Sequence, residues 1–386
     1  MDSLYSIVVG GINSLAAHER SALRPIFGAI LAIKTLCNLQ VDGDLHHPLY
    51  HKSEDEQFEI HAPLTYFSHV LDEFRPQCRG HISETLLLKY LILPLCKNME
   101  SLELPVESAP LQEMGDHDWS QLRSLKLYGF PPSATALGCP LLGTLVRMPH
   151  LRSLSLQFHV PPSGDVEPIW PPKWADAPFP WPELEELFIT NPIPEDGLWS
   201  RLPPTLRTLS MREWPPRWDH DHFRERVRDD EEKQSEYQAR DTALSTAALC
   251  RILRQCRLPS LTSLGLGYTV YSGDGELVTY VGSAFPLLRV LGLYRLPIHG
   301  SECQSTDALT GLARQLLPLR FLHTLIMHVD QTEKSIAGLM DWCMVGGWEP
   351  QRLDFVTDVF ERELPSIRQM AILLTDEYDS SSSTVT

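Results

Sequence analysis

Paired cysteines are the first thing this chain lacks. Its eight cysteines (Cys37, Cys78, Cys96, Cys139, Cys250, Cys256, Cys303 and Cys343) are scattered, with no Cys-x-x-Cys among them. Neither end carries the clustered cysteines of a disulfide cap. None of the four asparagines (Asn13, Asn38, Asn98, Asn191) begins an Asn-x-Ser/Thr sequon. These absences point to reduced thiols in an intracellular compartment, cytoplasmic or nuclear. Cys250 and Cys256 flank a helical segment and read as core fillers. A long apolar run is missing too. Leu86 to Leu95 is short and broken by Lys89 and Pro94, too little to span a bilayer. Leu4 to Val9 follows Asp2 with no basic stretch before it, which argues against a secretory leader. Basic charge is scarce: 33 Lys and Arg stand against 50 Asp and Glu, a net charge of −17. That balance opposes binding to nucleic acid or an anionic membrane, and leaves a basic partner open.

The usual marks of chemistry are absent as well. There is no Gly-x-x-x-x-Gly-Lys-Ser/Thr, Gly-x-Gly-x-x-Gly, Gly-x-Ser-x-Gly or His-Glu-x-x-His,. His46, His47 and His51 form one histidine cluster, and Asp219-His220-Asp221-His222 another. Both lie in polar stretches and read as surface histidines, because a metal site needs ligands converging from separate elements. The expectation is a non-enzymatic protein without cofactor or metal.

What the chain has in quantity is one phrase, Leu-x-x-Leu-x-Leu. It stands at Leu122–Leu127, Leu151–Leu156, Leu261–Leu266 and Leu288–Leu293. Looser copies run over Leu36–Val41, Met99–Leu104, Leu184–Ile189, Leu206–Met211 and Leu322–Met327, with a degenerate one at Pro350, Leu353 and Phe355. This is the strand phrase of a leucine-rich repeat. A single unit cannot bury its own apolar face, so stacked units share one core. The expected fold is an α/β leucine-rich-repeat solenoid, curved, with parallel strands on its concave face and helices or irregular crossovers on its convex face. Ser245–Cys256, Asp307–Leu319 and Leu137–Met148 have helical spacing and would supply crossovers, the first capped by Ser245. Copies begin 22 to 34 residues apart, apart from intervals of 63 and 55. Repeats of this kind run about 20–29 residues, so the longer interval should hide a degenerate unit around Phe58–Phe74.

Residues 1–372 read as a single solenoid, followed by a disordered acidic and serine-rich tail over 373–386. Its start, 1–98, reads as helix-rich: one or two helices over 1–35, and helical spacing over 64–98 at Phe67, Val70, Leu71 and Phe74. Proline density between 160 and 182 forbids a helix or a central strand there. Its Trp170, Trp174 and Trp181 either anchor a partner or fold back onto the solenoid, and folding back is preferred. Residues 217–241 read as a charged insertion.

The x positions of each phrase should point away from the core and line the inner surface, where solenoids bind. Fifth, seventh and eighth positions make that surface aromatic and basic, a composition typical of protein interfaces. The candidate partner-binding residues are Lys126, Tyr128, Phe158, Phe188, Arg212, Tyr268, Tyr294, Arg295 and His328. Second positions add Arg123, Arg152, Arg207 and Arg289, which either reach a partner or fan over glutamates such as Glu185 and Glu186.

In style, Leu184-Glu185-Glu186-Leu187 and Leu202-Pro203-Pro204-Thr205-Leu206-Arg207-Thr208-Leu209 resemble the irregular leucine-rich-repeat proteins of fungi, of the F-box type. That resemblance covers roughly residues 30–360. It implies a protein that selects a substrate on its repeats and docks through an F-box onto the adaptor subunit of a cullin-based (SCF-type) ubiquitin ligase. No Leu-Pro-x-Glu-Leu phrase occurs in residues 1–60. The nearest wording, Leu202–Leu206, runs into a repeat strand. A stand-alone scaffold or regulator, and an enzyme with a convergent site, are the alternatives.

Overall fold

From its fourth position on, the phrase alternates apolar with small or polar residues, as a strand with one buried face requires; Phe188 and Ile326 are the exceptions,. The computed structural model describes residues 4–10, 23–43, 45, 59–71, 82–132, 137, 139–159, 167–212, 244–270, 274–297, 306–329 and 358–374. Two compact units result. The first holds Met1–Leu187 with Asp196–Leu198, and the second holds Phe188–Glu195 with Trp199–Thr386.

In the first unit the elements are β1 (Ser6–Val9), α1 (Leu23–Leu31), β2 (Asn38–Asp42), β3 (Tyr66–Val70), α2 (Ile82–Ile92), β4 (Ser101–Pro105), α3 (Leu111–Asp116), β5 (Ser124–Gly129), α4 (Leu141–Leu145), β6 (Ser153–Phe158) and the start of β7 (Glu186–Ile189). The second unit has β8 (Thr208–Met211), β9 (Leu244–Ser245), α5 (Thr246–Gln255), β10 (Ser263–Val270), α6 (Gly275–Ala284), β11 (Val290–Pro297), α7 (Thr306–Leu316), β12 (Thr324–Val329) and β13 (Gln369–Leu374). Each unit is an α/β, solenoid-like arrangement in which parallel strands follow one another in chain order, with the two-residue β9 set beside β10.

The core is built of rows. Across the first unit Leu39, Phe67, Leu102, Leu125 and Leu154 stand in register. Across the second the row is Leu209, Leu264, Leu291, Leu325 and Met370. The described leucines of both rows are buried, as are the first-position residues from Leu36 to Leu322. Each contributes roughly 1.5–3 kcal/mol by leaving water. Consecutive helices of the second unit, α5 with α6 and α6 with α7, pack side by side to cover the row.

A backbone device recurs where each strand begins. The carbonyl at position two accepts N–H groups from positions two and three of the next repeat. Cys37 O takes Thr65 N and Tyr66 N, Thr65 O takes Glu100 N and Ser101 N, and Arg123 O takes Arg152 N and Ser153 N. Arg207, Thr262, Arg289 and His323 do the same in the second unit. Beyond the obvious phrases, this device picks out the repeats at Leu64 and Ile367.

Several expectations change. The hidden repeat lies where the long interval placed it, but as β3. Phe67 and Val70 carry helical spacing by coincidence, and pairing of Phe67 with Leu39 and Leu102 overrides it,. Residues 1–35 hold the expected helix, α1, and also a strand, β1. The copy at Pro350, Leu353 and Phe355 lies outside the described residues, as do 217–241 and the tail beyond 374. The last described strand follows Ile367 instead and extends to Leu374. Among the described residues of the proline-rich stretch a 3-10 turn forms at Pro172–Trp174; three residues with proline at the start suffice for it. Two of the three expected crossovers form nearly as read. Ser245 caps α5, its side chain accepting the Ala248 N–H, and α7 spans Thr306–Leu316. Of the third, the described residues from 139 on hold the short α4.

Leu154 is almost fully buried, so Leu154→Asp should cost more than about 4 kcal/mol and abolish soluble expression. Leu154→Met should stay within about 1.5 kcal/mol of the parent. Ser245→Ala should lower stability by about 1 kcal/mol. Denaturant unfolding of the full chain reads the last two, and an unchanged soluble yield for Leu154→Asp would refute the shared core.

Candidate functional site

Outward positions follow from strand parity: third, fifth and seventh residues share one face, and fourth, sixth and eighth the other. In the first unit the fifth-position row is Gln40, Ser68, Glu103, Lys126 and Ser155. Three of its polar groups satisfy one another. Lys126 Nζ lies 2.6 Å from Glu103 Oε1, and Ser68 Oγ donates to Glu103 Oε2 at 2.9 Å. The Lys126 ammonium also stands 5.9 Å from the Tyr128 ring centre. Tyr128 reaches the end of β3, where its hydroxyl donates to His69 O and accepts the Leu71 N–H, both at 2.7 Å. That leaves it buried, and burial holds its hydroxyl well above the ordinary tyrosine range. Tyr128 is thus a strap within the unit, which corrects its reading as a partner contact. The second-position arginines lie at the strand entrances. Arg152 Nε and Nη2 donate to Glu183 Oε2 at 3.3 and 3.2 Å, and Arg123 is 3.9 Å from the same carboxylate. His150 and Arg152 hold Glu183 below the usual carboxylate range.

A polar cluster sits where β3 and β4 end. His69 occupies a sixth position, where neighbouring strands carry Val41, Leu104, Leu127 and Leu156. Its Nε2 donates to Gly43 O at 2.9 Å and lies 3.5 Å from Glu84 Oε1. Glu84, in the first turn of α2, accepts the Leu45 N–H at 3.2 Å and the Ser108 hydroxyl. Nearby, Glu107 Oε1 accepts the Phe130 N–H at 2.6 Å. Gly129 presses against that carboxylate with φ at +110°, so a side chain there would meet both strain and overlap,. Burial, aided by the charge of Glu84, pushes Glu107 up to about 7. Sequence reading missed this group; the available signal was a histidine at a leucine position. A serine, a histidine and two carboxylates do converge, but Ser108 is fully buried and its hydroxyl hydrogen is committed to Glu84. The arrangement ties α2 to the strand ends.

The second unit presents a different face. Its fifth-position row is Ser210, Gly265, Gly292 and Ile326. The Tyr294 ring folds back over Gly292, where an added Cβ would come within 3.0 Å of Tyr294 Cε2. Arg212 Nη1 donates to the Tyr294 hydroxyl at 3.2 Å. The Arg212 guanidinium lies 4.7 Å from the Phe188 ring centre and 5.1 Å from that of Tyr294. All three side chains are half-buried. The structure therefore joins three of the expected residues in one cluster.

Tyr268 and Arg295 are not part of it. They were expected outward, but β10 and β11 run on to Val270 and Pro297, so the eighth position is still strand and shares the inward parity of the fourth and sixth. Both are buried on Asp274, with Arg295 Nε 2.7 Å from Oδ2 and the Tyr268 hydroxyl donating to Oδ2 at 2.7 Å. Burial and the Asp274 charge raise the Tyr268 hydroxyl well above its ordinary value. Phe158, at the same position on β6, is half-buried opposite Gly129. His328 is placed in β12 by its backbone, and its side chain lies outside the described residues.

The tryptophans fold back, as preferred. Trp170 and Trp181 are buried, Trp174 is half-buried, and Phe179 stacks on Trp170 and meets Trp181 edge-on. Asp196 pins the segment by accepting N–H groups from Ile169, Trp170 and Leu198; burial raises its carboxyl. Trp181 Nε1 donates to Leu145 O at 3.3 Å. Cys250 and Cys256 are buried as core fillers, and burial pushes the Cys256 thiol up to about 12. Both histidine clusters lie outside the described residues. Among those described, no group of three His, Cys, Asp or Glu could hold a metal, and no helix is long and apolar enough to cross a membrane. No protein-family model matches this chain, and neither does any curated protein.

Glu107 gives a pH prediction. Its carboxyl rises from 4.5 unfolded to about 7 folded, so the folded state holds the extra proton between those values. Stability is full below pH 4.5 and falls as pH rises toward 7, by about 2–3 kcal/mol. Glu107→Gln should remove most of that fall. Denaturant unfolding at pH 5 and pH 8 measures it, and parallel profiles for parent and variant would contradict the assignment.

Proposed function

We propose that this chain is a non-enzymatic protein-interaction module whose partner meets the sheet face of the second unit. One observation carries the reading: Arg212 lies over the rings of both Phe188 and Tyr294, half-buried, beside a row of uncharged residues. Arginine and aromatic rings dominate the energetics of protein interfaces, and here the fold gathers them on a surface rather than in a core. On the first unit the charges of the corresponding row are paired with each other, Glu103 with Lys126, so it offers less to a charged partner. The finer reading, substrate recruitment to an SCF-type ubiquitin ligase, rests on the sequence resemblance alone.

The test is affinity purification of the tagged full-length protein from its native cells, with mass spectrometry of what co-purifies. Phe188→Ala with Tyr294→Ala should reduce captured partner at least about fivefold, as expected for loss of two aromatic anchors. Lys126→Ala should leave capture unchanged. Both proteins should melt within a few degrees of the parent, since the altered side chains are only half-buried. Equal capture by the double variant would move the surface elsewhere. A ligase adaptor and cullin in the eluate would support the finer reading, and their absence beside another stable partner would leave a stand-alone scaffold.

A further inference from the structure

We infer that Arg212 is an anion-reading residue, and that the partner presents to it an acidic side chain on a peptide segment. The inference rests on the interaction-module reading and names the chemistry of that surface. It comes from comparing Arg212 with the other arginines. Arg152 turns its Nε–Nη2 edge to Glu183 at 3.3 and 3.2 Å. Arg314 turns Nε to Glu363 at 3.1 Å, and Arg295 turns Nε to Asp274 at 2.7 Å. That edge is the one a carboxylate grips with two parallel hydrogen bonds. Arg147, Arg257, Arg289, Arg320 and Arg368 form no ion pair among the described residues, and all five are exposed, where water serves them.

Arg212 belongs to neither group. It is half-buried, so water serves it poorly, yet it forms no ion pair among the described residues. Nη1 is used by the Tyr294 hydroxyl. Nε is covered and makes no hydrogen bond, and Nη2 has no partner among the described residues. Of the edge filled by glutamate at Arg152, Nη2 is therefore the donor left open, with no acceptor on it among the described residues. The rings hold the guanidinium plane without neutralising it, since a cation over a ring keeps its charge. The adjacent row of Ser210, Gly265, Gly292 and Ile326 brings no competing charge. A half-buried guanidinium without a counter-charge is costly, and an oxyanion that pairs with Nη2 relieves that cost.

The chain's net charge of −17 does not oppose this. Repulsion between exposed charges is largely screened beyond about 8 Å at physiological salt, whereas a contact pair in a half-buried site is screened far less.

The experiment uses the full chain and short immobilised peptide pools, degenerate except for a fixed central residue. The centres are Glu, Asp, phosphoserine, Gln and Lys. Acidic centres should retain the protein at least about tenfold better than Gln, as for a charge-assisted pair. Arg212→Met, which keeps bulk and ring contact but loses the charge, should erase that preference, and Arg212→Lys should recover only part of it. The Glu and Asp pools against the phosphoserine pool tell carboxylate from phosphate. Retention that ignores the central charge, or an acidic preference that survives Arg212→Met, would overturn the inference. If Phe188→Ala with Tyr294→Ala still lowers retention in that case, the interaction surface stands and only its anion subsite falls. If neither change matters, both readings fall.

Discussion

The molecule depends on one repeated bargain between backbone and leucine. At each strand entrance a single carbonyl accepts two N–H groups from the following repeat. This fixes register before any side chain is consulted, and register decides which face every later residue occupies. Rows such as Leu39, Phe67, Leu102, Leu125 and Leu154 then close by themselves. No row could be buried by one unit alone, so each repeat is stable only in the presence of its neighbours.

That dependence explains what was legible. Strand positions, the parallel arrangement and the crossovers α5 and α7 could be read because leucine spacing and a serine cap express them locally. Strand β3 was mistaken for helix because its apolar residues fit both periods, and only the neighbours at Leu39 and Leu102 decide between them. Strand β13 was missed because Ile367, Met370 and Ile372 contain no leucine. The site was partly legible. Phe188, Arg212 and Tyr294 follow from position, but their convergence does not, because it depends on Tyr294 folding back over Gly292. Tyr268 and Arg295 were misplaced by a parity error: counting them as outward assumed the strands had ended.

The two units treat the polar residues of their sheet faces differently. The first unit pairs its charged side chains internally, on the sheet face through Glu103 and Lys126 and at the strand ends through His69, Glu84 and Ser108. The second buries one closed set, Tyr268, Asp274 and Arg295. It leaves Arg212 held by two rings and the Tyr294 hydroxyl, with no ion pair among the described residues. A buried set resists change because removing one member strands the others. Surface chemistry is freer to vary, and recognition falls to it for that reason.

Asp196 has a consequence for the order of synthesis. Its carboxylate grips the Trp170 N–H from 26 residues downstream. On a growing chain Trp170 therefore emerges before its anchor exists. At about 5–20 residues per second, the wait is about 1–5 s. For that interval a bulky indole, destined to be buried, has no completed seat. The surrounding prolines, Pro168, Pro171 and Pro172, cannot donate to a strand ladder, which makes the waiting segment a poor template for pairing with another chain.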